Sequence, residues 1–262
     1  MTIEKRSYKK AFTLIEIMVV VTIIGIISGV VLANTGGLKE KQRIEKITHF
    51  DNEVFVELQD YLIAGYSFEE GSSGIASGKT RTQDGFGYNG TINGNPSWTE
   101  GIIGNALDFA GSNSWVNLGP MVLEDTVNDG ITIEDEITVS AFIKSSNFNQ
   151  NGLIVLENPV NSRWNFFFEN NQLKWRGSYP VNNNISCDVP TTNGWHHILG
   201  TQKDTVAKIY INGVLCVEDT ASAIRNGTGD VEIGRFNVGS GYYYSGQIDE
   251  LKIYSKAYGF DE

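Results

Sequence analysis

The strongest constraint on this chain is a long apolar run near its N-terminus. It extends from Phe12 to Ala33, reads FTLIEIMVVVTIIGIISGVVLA, and contains Glu16 as its only charged residue. As a helix rising about 1.5 Å per residue it would be about 33 Å long, which matches the roughly 30 Å hydrocarbon core of a bilayer. We therefore predict a transmembrane helix over residues 12–33.

A short basic segment precedes the apolar run. Residues 1–11 contain four lysine or arginine residues and one glutamate, whereas the whole chain of 262 residues has a formal net charge of −11. Basic residues beside a membrane span stay in the cytoplasm, which places the C-terminal part outside. The acidic remainder argues against a nucleic-acid partner, because phosphate backbones attract positively charged surfaces.

Glu16 is costly in hydrocarbon unless a partner neutralises it or the side chain reaches the interface. The segment that contains it, KKAFTLIEIMVVVTIIGIISGVVLA, resembles the signal segment of type IV prepilins and pseudopilins. The resemblance implies that a prepilin peptidase in the bacterial cytoplasmic membrane cleaves between Ala11 and Phe12 and N-methylates Phe12. It also implies that Glu16 pairs with the N-terminal ammonium of a neighbouring subunit, so that filament assembly offsets the cost of two charges.

Ala11 departs from the family pattern, in which glycine nearly always precedes the cleaved bond. Because alanine is the smallest alternative, we expect slower processing rather than none. An ordinary secretory signal cleaved after Ala33 and an uncleaved single-span anchor are the other interpretations of this segment. The length of the apolar run and the presence of Glu16 argue against a secretory signal.

An amphipathic helix is predicted after the apolar run, over about residues 38–60. Charged residues occupy one face, and apolar residues recur at helical spacing on the other. The apolar positions include Ile44, Ile47, Val54 and Leu58. The intervening sequence Asn-Thr-Gly-Gly, residues 34–37, is a candidate kinked or melted joint. We therefore divide the chain into a leader (1–11), a pilin-type helix (12–60) and a β-domain (61–262).

The β-domain is predicted from short alternating stretches that Gly, Asn and Asp separate. In ITVSAFIKS, one strand face carries the apolar positions Ile137, Val139, Ala141 and Ile143. Many such strands in about 200 residues predict an antiparallel two-sheet sandwich.

A hairpin is predicted in AKIYINGVLCVED, where Asn212-Gly213 forms the two-residue turn. Pairing outward from that turn places Ile209 opposite Cys216, so that Cys216 shares the inward face of Ile209. Cys187 lies on a predicted inward face of its own strand. The two cysteines are therefore either buried thiols or a Cys187–Cys216 disulfide, which an oxidising extracellular setting allows.

Six stretches follow one another in the order of a known family: YSFEEGSSGIA, DGFGYNGTI, GIIGNALDFAGSNSWVNLG, GWHHILGT, KIYINGVL and GQIDELKIYSKA. They resemble the laminin-G-like, concanavalin A-like jelly roll of many bacterial surface proteins, over roughly residues 62–260. The resemblance implies a mainly β fold with carbohydrate or protein binding on one face or rim, and calcium in some members. The fold alone does not decide among these ligands.

We predict that the domain is not an enzyme. Glucanases of the same superfamily need two carboxylates that project from one strand face into a cleft. Glu134 and Glu136 share a face, but they precede the strand in a turn-like stretch. His196 and His197 are adjacent in a predicted strand, so they point to opposite faces and cannot act together as metal ligands.

Asp249 is a candidate calcium ligand. In GQIDELKIYS it shares strand parity with the apolar residues Leu251 and Ile253. A carboxylate at the edge of an apolar face needs a cation or several backbone donors. The resemblance implies a calcium site between this aspartate and the loop DGFGYNG, which makes Asp84 the candidate second ligand; a hydrogen-bonded structural aspartate is the alternative.

Three consecutive tyrosines, Tyr242, Tyr243 and Tyr244, are a candidate binding rim. At least one of them should face outward, and aromatic rings stack well on sugars, although most aromatic residues in a sandwich pack in the core.

Together these observations predict a type IV pilin-like filament subunit with an extracellular lectin-like domain that functions in adhesion or surface filament structure. Its partners would be other pilin-like subunits, the prepilin peptidase, the membrane and a glycan or surface protein. It would be a single-pass protein of the cytoplasmic membrane before assembly and part of an extracellular pilus or pseudopilus afterwards. The alternatives are a pseudopilin that binds cargo in a type II secretion-like system and an anchored carbohydrate-active enzyme.

Overall fold

The structure is a computed structural model of the chain. It describes residues 14–71, 75–76, 89–120, 136–148, 152–157, 164–178, 183–190, 193–224, 230–236 and 242–260. Two compact units divide the chain, Met1–Glu45 and Lys46–Glu262.

One α-helix, α1, extends from Leu14 to Leu58. It is helical through residues 34–37, where the sequence suggested a joint. Its first turns expose large apolar side chains to solvent, at Leu14, Ile15, Ile17, Met18, Val19, Val20, Val21, Ile23 and Ile24. Within the part of the chain that the structure describes, no helix is both long enough and apolar enough to span a bilayer.

The second unit is rich in antiparallel strands. A 3₁₀ turn, Gln59–Tyr61, joins α1 to the first of them. In chain order the strands are β1 (Leu62–Tyr66), β2 (Ile75–Ala76), β3 (Gly90–Asn93), β4 (Ser97–Glu100), β5 (Asn105–Ala110), β6 (Trp115–Pro120), β7 (Glu136–Lys144), β8 (Gly152–Glu157), β9 (Asn165–Glu169), β10 (Gln172–Arg176), β11 (Asn184–Asp188), β12 (His196–Lys203), β13 (Val206–Ile211), β14 (Val214–Thr220), β15 (Asp230–Ile233), β16 (Arg235–Phe236), β17 (Tyr242–Tyr243) and β18 (Ser245–Tyr254).

Among the described residues these strands form two eight-stranded sheets and a small hairpin. Sheet A has the order β14-β13-β12-β7-β18-β5-β4, with β1 also paired to β18. Sheet B has the order β11-β10-β9-β8-β15-β6-β3-β2, and β16 pairs with β17. Strands far apart in sequence are neighbours, as β18 and β7 are. The prediction of an N-terminal helix followed in sequence by a β-sandwich of jelly-roll type is confirmed.

The core lies between the two sheets. The predicted inward face of β7, which comprises Ile137, Val139, Ala141 and Ile143, belongs to the main cluster of buried apolar residues. The other face of β7 is also buried, because the C-terminal part of α1 covers it. Val54 and Leu58 of the helix form a second apolar cluster there with Leu199 and Tyr254 of sheet A.

The Asn212-Gly213 turn has the positive φ angles, 54° and 77°, that a tight hairpin of this kind requires. Ile211 pairs with Val214 as predicted, but the pairing of Ile209 with Cys216 is wrong. A bulge shifts the register, so that Ile209 pairs with Val217. The reason is that a β-bulge places two residues opposite one and reverses the parity beyond it.

The bulge leaves Cys216 on the exposed side of β14, where it is nevertheless bonded to Cys187 of β11. The two Cα atoms are 6.1 Å apart. Because β14 and β11 are the outermost strands of their sheets at this edge, the bond joins the sheets where the hydrogen-bond ladders end.

Candidate functional site

A buried polar network joins helix α1 to sheet A. Asp51 of the helix accepts hydrogen bonds at Oδ1 from Ser140 Oγ (3.1 Å) and His197 Nε2 (3.3 Å). Its Oδ2 accepts from Lys252 Nζ at 2.8 Å. Lys252 also contacts Glu250 Oε2 at 3.0 Å. Helix, strands β7 and β12, and strand β18 therefore meet at one carboxylate.

The charge state of Asp51 follows from these neighbours. Burial by itself would raise the pKa of the carboxyl group. The hydrogen bond from His197 and the charge of Lys252 outweigh burial and lower the pKa of Asp51 to about 2. Burial acts on Lys252 in the opposite sense, but Asp51 and Glu250 raise its pKa above the ordinary value. The ion pair is therefore charged at neutral pH.

Ser140, His197 and Asp51 have the composition of a nucleophilic triad but not its geometry. In a triad the aspartate holds Nδ1 of the histidine while the serine contacts Nε2. Here Ser140 Oγ and Asp51 Oδ1 both contact Nε2, at 2.8 and 3.3 Å, and Nδ1 has no partner among the described residues. All three side chains are buried. The cluster therefore holds the helix against sheet A, and its hydrogen bonds are not those of a nucleophilic triad.

His196 lies on the opposite face of β12 from His197, as the strand alternation predicted. Its ring packs near Phe148 of the main core, and its Nδ1 is 3.0 Å from Asn212 Nδ2. The two histidines are separated by the sheet.

Asp249 lies at a β-bulge in β18. Ile248, Leu251 and Ile253 all belong to the core cluster, because the register shifts between Asp249 and Lys252. Asp249 is therefore not on the inward face that simple alternation assigned to it. Glu250, in the bulge, has a positive φ of 47°.

Backbone donors surround the Asp249 carboxylate. Its Oδ2 accepts from the amides of Ile102 (2.9 Å) and Ile103 (3.2 Å), and its Oδ1 accepts from that of Glu250 (2.7 Å). Burial is the main cause that raises the pKa of Asp249 to about 7. The donors are N–H groups, whereas calcium requires oxygen ligands. The described surroundings thus do not fit a calcium site by themselves.

Several other predicted site residues lie outside the described residues or are engaged elsewhere. Ala11, Phe12, Asp84 and Glu134 fall outside the described ranges. Within those ranges, no group of three or more His, Cys, Asp or Glu side chains is arranged to hold a metal ion.

Glu136 begins strand β7, and its carboxylate accepts from the amide of Ala257 at 3.0 Å. It also pairs with Lys203 at 3.1 Å and with Lys256 at 3.5 Å. Burial favours the neutral acid, but the Ala257 amide and the lysines lower the pKa of Glu136 below its ordinary value. The Glu136 carboxylate is therefore engaged in structural contacts.

Glu16 lies in the exposed first turn of α1.

The three tyrosines have three different environments. Tyr242 is exposed, Tyr243 is half-buried, and Tyr244 is buried in the core between Phe109 and Phe168. Only the first two therefore present surface to a ligand.

Beside Tyr243 is an aromatic and cationic cluster that the sequence patterns did not identify. The Arg235 guanidinium lies 3.8 Å from the centroid of Trp115, and the Trp115 and Tyr243 rings are 6.4 Å apart. Arg235 is held in place by both carboxylate oxygens of Glu232.

A polar pocket opens at one end of sheet A, with a volume of about 360 Å³. The ends of β5 and β7, the start of β18 and the loop before β12 form its walls. Its lining includes Asp108, Lys144, Asn193 and Gln247. The sequence contained no local signal for this pocket, because its residues come from four separate segments.

Two antiparallel sheets packed face to face, with a polar pocket at one end of sheet A, define a protein of the β-sandwich class. The chain belongs to the concanavalin A-like lectin/glucanases superfamily, whose family model matches residues 111–262. Residues 6–32 match the prokaryotic N-terminal methylation motif. Both predicted resemblances are thereby confirmed.

Solved structures share the fold. Domain 4 of AbnA, an extracellular GH43 arabinanase from Geobacillus stearothermophilus solved in complex with arabinotriose, is 24% identical with a TM-score of 0.56, over 75% of this chain and 93% of that one. The binding domain of botulinum neurotoxin serotype D is 18% identical with a TM-score of 0.55, over 78% of this chain and 49% of the toxin domain. The binding domain of Paraclostridial Mosquitocidal Protein 1 is 15% identical with a TM-score of 0.54, over 76% of this chain and 50% of that one. A comparison with curated protein sequences gives no significant match.

Proposed function

We propose that this chain is a type IV pilin-like filament subunit whose lectin-like domain binds glycans outside the cell, with a role in adhesion or surface filament structure. The observation that carries the proposal is the combination in one chain of the methylation motif, residues 6–32, with the concanavalin A-like domain, residues 111–262. Its partners are the prepilin peptidase, the membrane before assembly and other pilin-like subunits afterwards.

The exposed side chains at the start of α1 support an assembly role. Nine large apolar residues between Leu14 and Ile24 are about half exposed or more. Exposed apolar surface of this extent marks a membrane or protein interface. A bilayer covers it before assembly, and the helices of neighbouring subunits cover it afterwards.

The attachment of the helix supports a structural role for the subunit. Lys46–Leu58 is part of the same compact unit as the sandwich, and the Asp51–Lys252 pair together with the Val54 and Leu58 packing holds it against sheet A. These contacts fix Lys46–Leu58, the part of α1 within this unit, to sheet A.

Glycan binding without catalysis is supported by the site. The AbnA domain has this fold and was solved in complex with arabinotriose. The sequence offered two candidate acids. Glu136 is engaged in ion pairs, and Glu134 lies outside the described residues. We propose a binding domain rather than an enzyme, on the engagement of Glu136 by lysines and on the arabinotriose complex of the AbnA domain. Calcium binding by Asp84 and Asp249 stays a prediction, which titration of the chelator-stripped protein with Ca²⁺ tests.

Processing and assembly are tested by expressing the full chain with its prepilin peptidase and shearing the cells. We expect mass spectrometry to show an N-methylated Phe12 at the mature N-terminus and the sheared fraction to contain filaments. An N-terminus after Ala33 would indicate a secretory signal, and an intact Met1 would indicate an uncleaved anchor. Processed chains without sheared filaments would favour a pseudopilin.

Glycan binding is tested with the full chain in detergent micelles on a panel of immobilised oligosaccharides, with Ca²⁺ and with chelator. We expect retention on at least one of them. No retention in either condition would contradict the lectin assignment, and cross-linking in cells would then identify the cargo or partner protein.

A further inference from the structure

We propose that the polar pocket at the end of sheet A is the glycan site and that it binds a neutral saccharide without a metal ion. This inference rests on the proposed lectin function and adds to it the site, the residues and the class of sugar. The residues that define the pocket are Asp108, Lys144, Asn193 and Gln247.

The strand register places three of these side chains in one row. Gln247 of β18 is directly opposite Asp108 of β5 on one side and Lys144 of β7 on the other. Directly opposite residues of antiparallel strands share a sheet face, with Cβ atoms about 4.5–5.5 Å apart. The next residues, Ile248 and Leu107, point into the core. The row therefore lies on the outer face of sheet A as carboxylate, amide and ammonium.

The row continues onto an aromatic residue. The Lys144 ammonium lies 5.8 Å from the centroid of the Trp195 ring. The Trp195 ring is itself largely buried; its contact holds the Lys144 ammonium at the pocket, where it can donate to sugar hydroxyls.

The polar side chains of the pocket make few contacts with other described residues. Within the described part of the chain, Asp108 and Asn193 make no side-chain hydrogen bond or ion pair, and Lys144 has only its contact with Trp195. Gln247 Oε1 is buried without a partner. Elsewhere in the described unit the buried carboxylates of Asp51, Asp249 and Glu232 are engaged. Convergence of uncommitted polar groups on one cavity is what a binding site requires.

The backbone around the pocket is closely packed. Gly246 has a φ of 139°, and a Cβ at this position would lie 2.5 Å from the Lys144 carbonyl oxygen. Ser145 Oγ donates to the Ser245 carbonyl at 2.7 Å, which joins the end of β7 to the start of β18. Close contacts of this kind favour a pre-formed cavity, which lowers the cost of ordering the site on binding.

The charge pattern selects a neutral ligand. An anionic group in the pocket would meet the Asp108 carboxylate, and a cationic group would meet the Lys144 ammonium. A hydroxyl both donates and accepts, so neighbouring hydroxyls can serve a carboxylate acceptor and an ammonium donor at once. The volume of about 360 Å³ lies near the lower end of the usual range of about 300–1,000 Å³ for ligand pockets, which fits a short saccharide.

Metal independence follows from the position of the pocket. Asp249, the predicted calcium ligand, is not among its lining residues, and its oxygens accept three backbone amides. Chelation should therefore leave the affinity unchanged within twofold.

The test uses the full chain in detergent micelles and measures the Kd for arabinotriose, cellotriose and 3′-sialyllactose by calorimetry. The variants are Asp108→Ala and Asn193→Ala, with Asp219→Ala on the exposed edge strand β14 as the matched control. We expect wild type to bind at least one neutral trisaccharide and each pocket variant to weaken that Kd at least about tenfold, as loss of a hydrogen bond to a sugar hydroxyl does. The control should stay within twofold, and the melting temperatures of the pocket variants should match wild type because, among the described residues, these side chains make no hydrogen bond or ion pair.

The outcomes separate this inference from the proposed function. If wild type binds a neutral trisaccharide and the pocket variants bind it equally well, the pocket assignment is wrong and the lectin function stands. If only 3′-sialyllactose binds, the neutral class is wrong. If wild type binds none of the probes and nothing on the wider oligosaccharide panel, the lectin function fails and the pocket assignment fails with it.

Discussion

Asp51 of helix α1 and Lys252 of strand β18 form an ion pair with 2.8 Å between Oδ2 and Nζ, although 201 positions of sequence separate them. Both side chains are largely buried. The pair therefore joins the N-terminal helix to the strand that runs through the middle of sheet A.

Loss of one partner of this pair should destabilise the protein strongly. We expect Lys252→Met to lower the free energy of unfolding by about 3–5 kcal/mol, because it leaves the Asp51 carboxylate buried without its cation. Chemical denaturation of the detergent-solubilised chain measures the change. Glu53→Gln, at an exposed position of the same helix, should change the stability by less than about 0.5 kcal/mol. A similar small effect of Lys252→Met would contradict a structural role for the pair.

The acid limb of the stability curve should report on Asp51. Its pKa is about 2 in the folded state against 3.8 ordinarily, so the unfolded state takes up the proton first. Its contribution, about 2 kcal/mol, is complete above pH 4 and is lost as the pH falls through 2. We expect the unfolding midpoint of wild type to fall more steeply between pH 4 and pH 2 than that of Asp51→Asn. Parallel curves would show that Asp51 does not titrate in this way.

The Cys187–Cys216 bond should add stability by restricting the unfolded chain. The two cysteines are 29 positions apart, and closing a loop of that length is worth about 3–4 kcal/mol in the chain-entropy estimate. We expect the double variant Cys187→Ser, Cys216→Ser to lose about that amount, and reductant to lower the melting temperature of wild type but not of the variant. Free thiols in protein purified from an oxidising compartment would contradict the bond.

Glu16 should be required for filament assembly and not for folding of the β-sandwich. We expect Glu16→Gln to abolish filaments in the sheared fraction, because the amide cannot offset the N-terminal ammonium of a neighbouring subunit. Circular dichroism and the melting temperature of the solubilised chain should be unchanged. Glu57→Gln, an exposed position of the same helix, is the matched control. Normal filaments from Glu16→Gln would refute the pairing.

Local patterns were sufficient for much of the fold. The alternation of Ile137, Val139, Ala141 and Ile143 identified a strand and its core face, because side-chain direction in a strand depends only on parity. Asn212-Gly213 identified the hairpin, because few other residues adopt two successive positive φ angles.

The same parity failed where a bulge intervened. Cys216 and Asp249 were both assigned to inward faces, and bulges at those points altered the register. Neither bulge contains the glycine that would have indicated it from sequence, since Glu250 itself adopts the positive φ in β18. The position of such a bulge depends on how the strand pairs with its neighbour.

The sequence by itself determined the class of each segment: an apolar N-terminal helix with one carboxylate, an amphipathic continuation and a β-sandwich of known family. These properties depend on residues that are near one another along the chain. Only the tertiary structure brought Asp51 to Lys252 and aligned Asp108, Gln247 and Lys144 in one row, because the pairing of distant strands and the docking of the helix depend on the whole core. The attachment of the helix and the pocket proposed for the glycan are both products of that non-local packing.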